Sequence, residues 1–89
     1  MAWKVEFSEL AVRQIDKLDK TVARRILGFL QSRVESGDDP IGLATRLKGP
    51  ENAGRWRYRV GDYRIVVSFD SNIVTVYVIE IGHRREIYR

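Results

Sequence analysis

The stretch RWRYRVGDYRIVVSF, residues 55–69, constrains this chain more than any other: arginine stands at 55, 57 and 59 with an aromatic residue in each interval, and a Gly-Asp pair separates Val60 from Tyr63 and Arg64. Alternation with a period of two belongs to a strand whose faces meet different surroundings. Glycine at the first central position of a two-residue loop suits a type II′ hairpin, because that position needs a positive φ. The turn then sets the register. Val60 pairs with Tyr63, so Arg59 opposes Arg64, Arg57 opposes Val66 and Arg55 opposes Ser68. Trp56, Tyr58, Val60, Tyr63, Ile65, Val67 and Phe69 fall on the opposite side, a mainly apolar surface for helices to cover.

The same register runs on downstream. A two-residue Ser-Asn turn pairs Phe69 with Val74 and puts Val74, Val76 and Val78 on the core side, leaving Thr75, Tyr77, Ile79 and Ile81 on the arginine side. Gly82 permits a bulge or a sharp turn, so either His83 or Arg84 turns toward Arg64. Upstream, WKVEF at 3–7 alternates as a short half-buried strand, and Ser8 offers an N-cap for a helix over 9–18 with Ala11, Ile15 and Leu18 on one stripe. Asp19 caps a second helix. It buries Val22, Ile26, Phe29, Leu30 and Val34, turns Arg24, Arg25 and Arg33 outward, and ends at Gly37 in a left-handed position. Residues 38–54, rich in Gly and Pro, read as a long surface connection held down by Leu43 and Leu47. The expected fold is α+β: an N-terminal strand, a helical hairpin and a three-stranded antiparallel meander. Together these form one mainly antiparallel sheet with two helices packed on one face, in a single domain over residues 1–89.

Composition closes off several classes of function. With no Cys and a single His, the chain offers no disulfide, no thiol nucleophile and too few ligands for a transition-metal site, so neither metal nor cofactor is expected. The opening MAWKVEFSEL lacks the basic-then-apolar pattern of a leader, and no apolar run approaches the ~18 residues of a membrane span, so the chain reads as a cytoplasmic protein with no membrane partner. Sixteen Lys and Arg against twelve Asp and Glu leave a charge of +4, which favours a polyanionic partner. Arg46, Lys48, Arg55, Arg57, Arg59 and Arg64 fall within one short segment that holds only Glu51 and Asp62 as acids. Arginines on a strand are commonly just the wet side of a sheet. Arg59 opposite Arg64 is different: like charges across a strand pair destabilise it, and this register puts no acid nearby to neutralise them. An external anion resolves the conflict, and phosphate suits guanidinium forks, which bind it in pairs and stay charged. Arg57, Arg59 and Arg64 are therefore assigned to phosphate, whereas Arg55 reads equally well as an ordinary surface arginine.

LKG at 47–49, GDYRI at 61–65 and GHRREIY at 82–88, in this order along the whole chain, resemble the RelE/ParE superfamily of toxins from type II toxin-antitoxin systems, and most of all its RelE-like mRNA endonucleases. That resemblance implies a role for each matching position. Arg57 and Arg59 match two basic residues before the turn, Arg64 the arginine after it, Arg84 the arginine past the glycine, and Tyr88 the late tyrosine. In RelE-like enzymes such residues cleave mRNA in the ribosomal decoding site, the 2′-hydroxyl attacking the adjacent phosphate. That chemistry needs a base, cations for the phosphorane and an acid for the leaving oxygen. RelE carries lysines where this chain has Arg57 and Arg59, and arginine is a poor proton acceptor. His83 is then the candidate base or acid, while the resemblance implies that Arg84 completes the clamp and Tyr88 stacks on a base. By the same resemblance Arg24, Arg25, Arg33 and Arg85 are expected to touch ribosomal RNA. The implied partners are the ribosome, its mRNA and a cognate RelB-like antitoxin, an acidic segment that folds on binding, with Ile79 and Ile81 as apolar contacts. The rival reading is a ParE-like protein that poisons DNA gyrase without cutting nucleic acid; a weaker third is an inactive relative that only binds nucleic acid.

Overall fold

Ser8 begins the first helix as expected: its Oγ accepts the Ala11 N–H at 3.0 Å. In the computed structural model, which describes residues 3–83, strand β1 (Lys4–Phe7) leads through this cap into α1 (Glu9–Lys17). Asp19 caps α2 (Lys20–Phe29) by accepting the Thr21 N–H, and the helix runs on as a wider π-helical segment over Leu30–Glu35. Then come β2 (Thr45–Arg46), a 3₁₀ turn at Pro50–Asn52, β3 (Trp56–Val60), β4 (Tyr63–Asp70) and β5 (Thr75–His83).

The five strands form one sheet in the order β1-β5-β4-β3-β2, with β1 parallel to β5 and every other pair antiparallel. Helix residues Ala11, Ile26, Leu30 and Val34 meet Tyr58, Ile65, Val67, Val76, Val78 and Ile81 in a single core. Trp3, Trp56 and Tyr58 pack edge-on around Phe69 at 5.7 to 6.4 Å between ring centres. Such pairs add about 0.5–1.5 kcal/mol each beyond the area they bury.

Four details depart from the sequence reading. The connection 38–54 is not wholly irregular: Thr45 and Arg46 add an edge strand to β3. Its anchors are Pro40, which is buried and accepts the Tyr58 hydroxyl, and Ala44; Leu43 is exposed. Gly37 does not take a left-handed conformation. Glycine is needed there for space, since a Cβ would lie 2.1 Å from the Arg33 carbonyl oxygen.

The fourth departure matters most for the site. The β4–β5 loop has four residues, so Phe69 pairs with Val76 rather than Val74, and Val74 sits in the loop at φ 49°. A shift of two preserves which side faces the core, so Val76 and Val78 are buried as expected. Further along, Val67 pairs with Val78 but Val66 with Glu80, leaving Ile79 as an inserted residue. That β-bulge reverses the alternation beyond it. Ile81, expected among the arginines, is instead buried in the core.

Candidate functional site

The hairpin turn forms as its sequence requires, with Gly61 at φ 58° and Val60 paired with Tyr63. Arg59 therefore faces Arg64 and Arg57 faces Val66. The three arginines share the sheet face away from the core residues Tyr58, Ile65 and Val67. Their settings differ: Arg59 is exposed, Arg57 half-buried, and Arg64 only 6% exposed. Arg55 lies just before β3, its carbonyl accepting the Leu47 N–H at 3.0 Å, and does not join the row.

The bulge at Ile79 completes this face. Two cross-strand rows run over the arginines, one joining Arg59, Arg64 and Gly82, the next joining Thr45, Arg57, Val66 and Glu80. Glu80, half-buried, thus stands on the arginine face, two strands from Arg57 and one strand from that of Arg64, at ~4.8 Å per strand. This corrects the expectation of a face without a nearby acid. Sequence alternation missed Glu80 because it carried a uniform period through a strand that holds an extra residue; the visible signal was only Gly82 and the polar Glu80 within an apolar run.

Helix α1 holds the bulge in place. The Ser8 hydroxyl donates to the Ile79 carbonyl at 2.7 Å, and the Ile81 N–H donates to Gln14 Oε1 at 2.6 Å. Pairing of β1 with β5 ends at Phe7 and Val78, so these two side chains satisfy backbone groups that no strand reaches.

The remaining assignments separate. His83 pairs with Tyr63, and their rings meet edge-on with centres 5.5 Å apart, which puts His83 on the helix side of the sheet rather than among the arginines. Arg25 reaches the hairpin from α2: a Cβ on Gly61 would lie 3.4 Å from its Nη2. Arg24 and Arg33 are on the helical segment, Arg33 exposed. Arg84, Arg85 and Tyr88 lie outside the described residues. Among the described residues no three His, Asp or Glu side chains gather as a metal ion would require, and no helix is long and apolar enough to cross a membrane.

Chemically, the rows at Arg59 and Arg57 combine cations with the carboxylate of Glu80, a set able to hold a phosphate and accept a proton beside it. On the other side of the sheet, burial pushes the Tyr58 hydroxyl far above the ordinary phenol range, and the charge of Asp39 adds to this. Tyr58 is structural.

Comparison with known proteins bears on this geometry. Residues 5–88 match the family described as the ParE toxin of type II toxin-antitoxin system, parDE. The toxin RelG of Mycobacterium tuberculosis is 28% identical over 89 residues, covering 100% of this chain and 99% of RelG. The mRNA interferase toxin RelE of Escherichia coli is 31% identical over 90 residues, 99% of this chain and 92% of RelE. In fold, the chain is similar to the toxin in the RelBE2 toxin-antitoxin complex from M. tuberculosis, with a TM-score of 0.84 at 23% identity over 94% of this chain and 100% of the other. The archaeal RelE–RelB complex from Pyrococcus horikoshii OT3 gives a TM-score of 0.72 at 25% identity, covering 94% of this chain and 97% of that one.

Proposed function

This chain belongs to the ParE toxin family of type II toxin-antitoxin systems, and from that premise we propose that it is a ribosome-dependent endoribonuclease that cleaves mRNA in the decoding site. The observation that carries this reading is the arginine face: Arg59 directly opposite Arg64, with Arg57 in the next row. Its full-length likeness to a relative named as an mRNA interferase supports the reading.

In this reading Arg57, Arg59 and Arg64 hold the scissile phosphate and stabilise the charge of its phosphorane. Glu80 takes the proton of the attacking 2′-hydroxyl, since its carboxylate shares their face while His83 stands across the sheet. The 2′-oxygen–phosphorus bond forms, the phosphorus–5′-oxygen bond breaks, and the 5′-oxygen leaves with a proton from solvent or from an acid of the site. Arg84 closing the clamp and Tyr88 stacking on a base rest on the likeness to RelE, as does ribosomal RNA contact by Arg24, Arg25, Arg33 and Arg85. The RelB antitoxins in complex with the structural relatives support a cognate antitoxin here. Of the two isoleucines expected to meet it, Ile79 is half-buried on the arginine face, while Ile81 belongs to the core.

A second reading, inhibition of DNA gyrase without cleavage, is favoured by the ParE description of the matched family. Two assays on one purified sample separate them. Incubation with mRNA-programmed ribosomes is expected to yield cuts positioned on codons, with gyrase supercoiling unaffected. Blocked supercoiling with intact mRNA would establish the gyrase reading instead.

A further inference from the structure

We propose that the pocket beneath the hairpin turn, on the helix side of the sheet, binds a guanine base of single-stranded RNA. The pocket has a volume of about 330 Å³ and is lined by Val22, Arg25, Val60, Asp62, Tyr63 and His83. That volume is within the ~300–1,000 Å³ usual for small-ligand sites. Val22 and Val60 supply apolar walls. Tyr63 and His83, at 78° between ring planes, supply an aromatic corner. Flat apolar and aromatic surfaces beside a few polar groups are what a nucleobase needs.

The polar groups select the base. Arg25 reaches over the turn, its Nη2 3.4 Å from where a Cβ on Gly61 would stand. Among the described residues, neither Arg25 nor Asp62 has an ion-pair partner within 4.0 Å, so a guanidinium and a carboxylate line one pocket without neutralising each other. Guanine satisfies both: its O6 and N7 accept from a guanidinium fork, and its N1–H and 2-amino group donate to a carboxylate. Adenine puts an amino donor where guanine has O6, and a pyrimidine lacks the second ring. A bare phosphate is opposed by Asp62.

Position links this pocket to the arginine face. The Val60–Tyr63 pair lines the pocket, and the adjacent Arg59–Arg64 pair faces the other way. The two sites lie back to back, one residue or ~3.3 Å apart along the strand. An RNA strand draped over the Gly61–Asp62 turn meets both. The proposal rests on the endoribonuclease reading only for the source of the base; the binding itself is independent of cleavage.

The test is an NMR titration of the isotope-labelled full-length protein with GMP, IMP, AMP, CMP, UMP, 7-methyl-GMP or inorganic phosphate. GMP is expected to shift the amides of residues 61–63 and the His83 ring, with a midpoint at least about tenfold below that of AMP or either pyrimidine. IMP, lacking the 2-amino group, and 7-methyl-GMP, blocked at N7, are each expected to bind more weakly than GMP. Arg25→Ala and Asp62→Asn are both expected to weaken GMP, and both sites are exposed enough to spare the fold. No shift with any nucleotide, equal shifts with all of them, or the same shift with phosphate alone would overturn the proposal. If GMP binds selectively while mRNA on ribosomes stays intact, the pocket stands and the cleavage reading fails.

Discussion

Arg59 facing Arg64 works against the hairpin's own stability, since like charges directly opposite cost a fraction of a kcal/mol or more. Glu80, brought onto the same face by the bulge, is the proton acceptor of the proposed mechanism. Glu80→Gln keeps the shape and removes the acceptor. Single-turnover mRNA cleavage on ribosomes by this variant is expected to fall by about 100-fold or more with thermal stability little changed; an unchanged rate would remove Glu80 from the mechanism. Tyr58 allows a separate test. Its folded-state ionisation is raised above the ordinary value of 10.0, so the unfolded chain loses the phenol proton first as pH rises. The stability this contributes is fully present below pH ~10 and is lost above it. Unfolding measured from pH 8 to 11 is expected to show a steeper loss for the wild type than for Tyr58→Phe, which has no proton to lose.

At the scale of elements, α1 acts as a clamp on the irregular half of β5 through Ser8 and Gln14. Gln14→Ala removes the acceptor of the Ile81 N–H, a loss of about 1–3 kcal/mol, and calorimetry is expected to show a fall in Tm of at least ~4 °C. A Tm within a degree of the wild type would mean that the bulge needs no support from the helix. This clamp explains which features were legible in the sequence. Elements whose pattern is local were readable: the Gly-Asp turn, the Arg59–Arg64 pairing, the caps Ser8 and Asp19, and the buried helix stripes. Ile81 was misplaced and Glu80 missed because the bulge is held by contacts more than sixty residues apart, such as Gln14 to Ile81. The edge strand at Thr45 and Arg46 was missed for a related reason, since two exposed residues carry no periodicity and gain strand geometry only by pairing with β3.

Across the whole molecule, one sheet separates two surfaces. Helices cover one face and bury the aromatics, while the other carries the arginines and Glu80. The family fold supplies that division, and the alternation from Trp56 to Phe69 writes it into the chain. A partner bound through phosphates should also respond to salt, because each phosphate neutralised releases counterions; binding to programmed ribosomes is expected to weaken steeply between about 50 and 200 mM salt. In the proposed site the alternating arginines form a phosphate clamp at Arg57, Arg59 and Arg64, from which Arg55 is excluded. The most direct measurement compares single-turnover mRNA cleavage on programmed ribosomes by the wild type, Arg59→Ala and Arg55→Ala. A clamp of this kind predicts a loss of about 100-fold or more for Arg59→Ala and a rate near the wild type's for Arg55→Ala; equal losses in both variants, or none in Arg59→Ala, would contradict it.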